Sequence, residues 1–125
     1  MSGRVVHFEI PADDLTRAES FYRDAFGWEI NSMPGMGYTL VSTTPSTQTG
    51  PVEPGAINGG MLVRQVPITA PVVTIEVDDI DTALKAIAGL GGHTVRERTP
   101  VGDMGFAAYF ADTEDNIVGL WESRR

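Results

Sequence analysis

A chain of 125 residues, 42% hydrophobic and 21% charged, has enough apolar material for one globular unit with a core and too little for two ordinary domains. The absence of cysteine excludes disulfides, thiolate metal sites and a cysteine nucleophile, so any metal would depend on His, Asp, Glu or water. A formal charge of −8 without a stripe of Lys and Arg argues against nucleic acid and anionic membrane as partners. No apolar run approaches the ~20 residues of a membrane helix and the N-terminus lacks an apolar signal segment, so a cytoplasmic protein is expected.

In chain order, Arg4 to Ile10 alternates as a strand, with Val6, Phe8 and Ile10 on one face and Val5, His7 and Glu9 on the other. Pro11 is expected to end it. Asp13 or Asp14 can cap a following helix whose apolar stripe is Leu15, Ala18, Tyr22, Ala25 and Phe26. Gly27 closes that helix and Trp28 to Ile30 begin a second strand. Thr43 to Ala56, rich in Pro, Gly, Ser and Thr, is a loop, either a plain connection or a lid over a cavity.

The order then recurs. Val72 to Val77 is a strand, Asp78 and Asp79 stand at a cap, Ile80, Ala83, Leu84, Ile87 and Leu90 form a helical stripe, and Gly91-Gly92 ends it. A constant offset of 65 carries Val72 to His7, Ile75 to Ile10, Ala83 to Ala18 and Gly92 to Gly27 without a gap. Met36-Gly37-Tyr38 matches Met104-Gly105-Phe106 at an offset of 68, each read as a glycine turn before a strand, and Gly60-Met61-Leu62 matches Gly119-Leu120-Trp121 at 59. The chain therefore reads as α+β, one domain over 1–125 built from two βαβββ modules at about 4–66 and 70–123.

Paired βαβββ modules, together with the segments HFEIPADDLTRAESFYRDAFGWEI, VVTIEVDDIDTALKAIAGLGG and DTEDNIVGLWE, resemble the vicinal oxygen chelate superfamily, which includes glyoxalase, bleomycin-resistance and dioxygenase proteins. The resemblance implies paired curved half-barrel sheets. It also implies one of many activities: lyase, epimerase, ring-cleaving dioxygenase, thiol transferase or drug sequestration. A homodimer is implied as well. Metal enzymes of the family place ligands on the first and last strands of each module. His7 matches one ligand position, whereas the other three match Gly60, Val72 and Gly119, which offer no side-chain donor. Glu122 is three residues from Gly119, an odd separation that turns it to the opposite face of a strand. The expectation is therefore no tightly bound cofactor, a divalent metal being the lesser alternative.

On alternation, His7 and Glu9 share a face with Val72, Thr74 and Glu76, and Leu62, Gly119 and Trp121 join them from the closing strands. Two glycines beside an aromatic are expected to leave space for an organic ligand stacked on Trp121 and hydrogen-bonded by His7 or Glu9. His7 reads equally as a structural histidine satisfied by a carboxylate, and Glu9 with Glu76 as an acid/base pair or as solvated charges. His93 reads as surface, Met36, Met61 and Met104 as gap-filling side chains, and Arg64, Arg96 and Arg98 as partners of surplus carboxylates. The function expected is small-molecule binding without a tight metal. The alternatives are a lyase, isomerase or dioxygenase with a relocated metal or His7/Glu9 chemistry, and a drug-sequestering protein.

Overall fold

The alternation of Arg4 to Ile10 is realised as strand β1 (Val5–Ala12) in a computed structural model that describes residues 3–33, 37–47 and 50–124. The strand does not stop at Pro11. Pro11 pairs with Leu62 and Ala12 with Val63, and the Arg64 backbone N–H donates to the Ala12 carbonyl at 2.8 Å. Ala12 is thus the residue bonded toward β6, and alternation turns the nitrogen of Pro11 to the other flank, so this ladder does not use the N–H that proline lacks.

The chain divides into two units, His7–Pro71 and Val72–Arg125 with Met1–Val6. In the first, β1 is followed by α1 (Leu15–Phe26), β2 (Glu29–Met33), β3 (Tyr38–Ser42), the short pair β4 (Ser46–Thr47) and β5 (Gly50–Pro51), and β6 (Asn58–Val63). Asp14 caps α1 by accepting from the Arg17 N–H at 3.0 Å, and Gly27 ends it at φ 74, the left-handed region that glycine enters without a steric cost. The sheet runs β2-β3-β6-β1, with β1 and β6 parallel and the other neighbours antiparallel. Helix α1 departs from expectation, because none of its residues is fully buried and Ala25 and Phe26 are exposed. Its aromatic face finds its partner locally instead: Tyr22 stacks on Trp28 with ring centroids 4.9 Å apart.

The second unit holds β7 (Val72–Glu76), α2 (Ile80–Gly89), β8 (His93–Val101), β9 (Gly105–Ala111) and β10 (Ile117–Ser123), with strand order β7-β10-β9-β8. Each unit is thus a βαβββ module, the α+β class read from the repeat. Ile80 and Leu84 of α2 bury against Ala108 and Leu120, with Ile75, Val77, Ala83, Ile87, Phe106 and Phe110 around them. Leu90 lies past the helix end and is exposed. Glu122 sits on the helix side of β10, accepting from the Ile80 N–H at 2.9 Å and from Arg98 at 2.8 and 3.1 Å. A carboxylate at the first turn of α2 offsets both an orphan N–H and the helix dipole. Glu122→Gln is expected to destabilise the protein by about 1 kcal/mol, measured by urea denaturation at low salt; an unchanged midpoint would discount this cap.

The β8–β9 turn differs from the glycine turn expected at Gly105. Gly102 takes the positive φ, while Gly105 lies in β9 where a Cβ would strike the Glu122 carbonyl and approach the Trp121 ring at 2.7 Å. Met36 of the matching first hairpin lies outside the described residues. Among the described residues no helix is long and apolar enough to cross a membrane.

Candidate functional site

The pleat of β1 turns His7 and Glu9 to one side and Phe8 to the other, where Phe8 meets Trp28 at 5.7 Å between ring centroids. Parallel pairing sets His7 opposite Asn58 and Glu9 opposite Gly60. On the other flank of β6, antiparallel pairing sets Tyr38 opposite Leu62, which puts the phenol on the same face as Gly60 two residues away. The Tyr38 hydroxyl donates to Glu9 Oε2 at 2.9 Å and lies 2.9 Å from His7 Nε2. Glu9 is 7% exposed, so this buried carboxylate is held by a hydrogen bond, as burial of a charge requires.

Tyr38 was not among the sequence candidates. In the chain it reads as a hairpin residue beside a glycine; only the register of β3 on β6 brings it to His7 and Glu9. The same contact corrects the expectation that Gly60 leaves open space. A Cβ at Gly60 would overlap the hydroxyl and ring of Tyr38, so the gap is already filled by the phenol. Gly119 is filled likewise, with Thr74 Oγ1 2.7 Å from where its Cβ would be. Beside the centre, Asn58 fastens the start of the 43–56 loop: its Oδ1 accepts from the Thr43 N–H at 2.8 Å and its Nδ2 donates to Ser46 Oγ.

Of the other expected site residues, Leu62 belongs with the Tyr38 group by strand pairing. Val72, Thr74, Glu76 and Trp121 lie in the second unit. Val72 and Thr74 are buried, Glu76 accepts from Arg4 Nη2 at 2.6 Å, and Trp121, opposite Glu76 in the ladder, donates its Nε1–H to Ser123 Oγ at 3.1 Å. Arg64 pairs with Asp13 at 2.9 Å, whereas Arg96 lies over the Tyr109 ring, 5.5 Å from its centroid, an aromatic partner where a carboxylate was expected. His93 is exposed at the start of β8.

Burial lowers the His7 pKa below its ordinary 6.5, and the Glu9 charge opposes that shift with a smaller effect. A depressed histidine pKa means the unfolded chain binds the proton first. Stability that is fully present above pH 6.5 is therefore lost as pH falls through the folded-state value. Urea midpoints measured from about pH 8 down to about pH 5 should decline, and His7→Gln should remove part of that decline; an identical slope in the variant would discount it.

The donor set does not fit the divalent ion implied by the family resemblance. His7 Nε2 is engaged by Tyr38, positions 60, 72 and 119 carry no side-chain donor, and among the described residues no group of three or more His, Asp or Glu is arranged to hold a metal. What remains is a line of donors and acceptors, imidazole to phenol to carboxylate, able to orient an organic molecule or to pass a proton.

Comparison with known proteins points one way. The family described as bleomycin resistance protein-like N-terminal matches residues 4–44. A glyoxylase-like domain-containing protein of Didymella fabae is 30% identical over 122 residues, covering 96% of this chain and 94% of that protein. A Mycobacterium bovis protein provisionally named glyoxylase CFP32 is 28% identical over 123 residues, and this chain spans only 44% of its length. Among solved structures, a Streptomyces coelicolor methylmalonyl-CoA epimerase variant in complex with 2-nitronate-propionyl-CoA superposes over 100% of both chains with a TM-score of 0.69 at 18% identity. A hypothetical protein from Bacillus halodurans gives 0.68 at 14% identity, over 100% of this chain and 97% of its own. At these identities the solved structures speak for the fold alone.

Proposed function

Because this chain belongs to the vicinal oxygen chelate superfamily of glyoxalase and bleomycin-resistance proteins, we propose that it binds a small organic molecule at the His7–Tyr38–Glu9 centre without a tightly held metal. The supporting observation is the Tyr38 phenol, which fills the volume beside Gly60 and engages both His7 and Glu9. A carboxylate ligand at position 60 would need that same volume. Metal analysis of the dialysed full-length protein tests the reading. Substoichiometric Ni, Zn, Fe and Mn are expected, and stoichiometric metal that survives dialysis overturns it.

A second reading, proton transfer in a lyase or isomerase, draws on the same chain of groups, since a neutral imidazole bonded to a phenol can take a proton and return it. His7→Ala would then abolish turnover of an identified substrate. Saturable binding without product selects sequestration. A homodimer completes the proposal; its support is the exposure of Phe21 and Phe26 on α1, 60% and 64%. Sedimentation equilibrium checks it, a monomer at micromolar concentration counting against it.

A further inference from the structure

The hydrogen-bond chain has a direction. A phenol has one proton, and Tyr38 gives it to Glu9 Oε2, so its contact with His7 at 2.9 Å has to run from the Nε2–H to the phenolic oxygen. This fixes Nε2 as the protonated nitrogen. In the neutral imidazole favoured by burial, the lone pair then resides on Nδ1. No described residue donates to or accepts from Nδ1, and among the described residues no buried side-chain nitrogen or oxygen lacks a partner, so Nδ1 is accessible to solvent. It is an unpaired acceptor on a half-buried ring.

We propose that His7 Nδ1 is the atom through which this site recognises its ligand, accepting a hydrogen bond from a hydroxyl or N–H of an uncharged organic molecule, with Tyr38 as the positioning residue that sets the tautomer. The inference rests on the small-molecule reading above and adds the chemistry of the recognised group. An ether or ester oxygen, itself an acceptor, finds no complement at a lone pair. A hydroxyl or amide N–H does, and leaving Nδ1 facing an acceptor would forfeit a hydrogen bond in a partly desolvated site.

Long-range ¹H–¹⁵N correlation spectra of the labelled full chain above neutral pH test this in two stages. In the ligand-free protein, His7 Nε2 should appear protonated and Nδ1 unprotonated, and Tyr38→Phe should shift the ring toward mixed tautomers without unfolding the protein. Phenol and anisole, which differ by the methyl group that removes the donor, are then the probes. Phenol should move the Nδ1 resonance saturably, and anisole should leave it in place at the same concentration. A protonated Nδ1 in the free protein, equal responses to the two probes, or no response to either overturns the proposal. The parent reading fails separately, through stoichiometric metal, and a protonated Nδ1 in a metal-free protein that still binds phenol sinks this inference alone.

Discussion

Gly60→Ala is expected to lower folding stability by about 1–3 kcal/mol and to disconnect His7 from Glu9 in the same step. The added methyl would occupy the position of the Tyr38 hydroxyl and ring, and a phenyl ring cannot yield by bending. Tyr38 is also pinned at its backbone, paired with Leu62 across β3 and β6. The phenol must therefore rotate away, breaking its bond to Glu9 and its contact with His7, both 2.9 Å. Glu9 is left short of one bond in a buried position, and the Nε2–H of His7 loses its acceptor. Loss of phenol binding by about tenfold or more should accompany the change. Urea denaturation and the His7 ring resonances read the two effects. The Tyr38→Ala/Gly60→Ala double variant separates them: with the ring gone the methyl fits, so the double variant should be more stable than the sum of the singles by about 0.5–3 kcal/mol, yet still fail to bind. Strict additivity would mean that Tyr38 does not fill this space.

Ile80→Ala should cost about 2–5 kcal/mol, a large share of the ~5–15 kcal/mol that holds a domain together. Ile80 is 0% exposed at the first turn of α2, against Leu84, Ala108 and Leu120. Removing it leaves a void where a helix and three strands of one unit meet, and the Ile80 N–H capped by Glu122 is at the same point, so little can collapse inward without disturbing that bond. Ile80→Val, which removes one methylene, should cost only about 0.5–1.5 kcal/mol. Chemical denaturation with both variants gives the ratio, and a loss under about 1 kcal/mol for the alanine variant would mean that this core is not close-packed.

The sequence by itself determined the architecture. Strand faces, N-caps and the two modules follow from local rules that act over a few residues: alternation in β1 and β7, and Asp14 and Asp79 as N-caps at a 65-residue offset; the left-handed glycine end of α1 at Gly27 is not repeated at Gly92, since α2 ends at Leu90. It also shows that positions 60, 72 and 119 carry no side-chain donor for a metal, whatever the fold. His7 and Glu9 were legible as one pair, two residues apart on one strand face.

The tertiary structure alone decided what joins them. Tyr38 is 29 residues from Glu9 and 31 from His7, and it arrives through the register of β3 on β6, which depends on two strands finding each other and not on the residues around Tyr38. For the same reason the glycines misled. Read along the chain, Gly60 and Gly119 are missing side chains, hence space; in the sheet, a neighbouring strand had filled each one, with Tyr38 in the first unit and Thr74 in the second. Helix α1 shows the converse limit. Its periodic stripe promised burial, but periodicity states only which residues share a face, and whether that face is covered depends on the aromatic stack of Tyr22 on Trp28 and on what else reaches the helix. Local chemistry thus set the elements, while long-range pairing placed the phenol between His7 and Glu9.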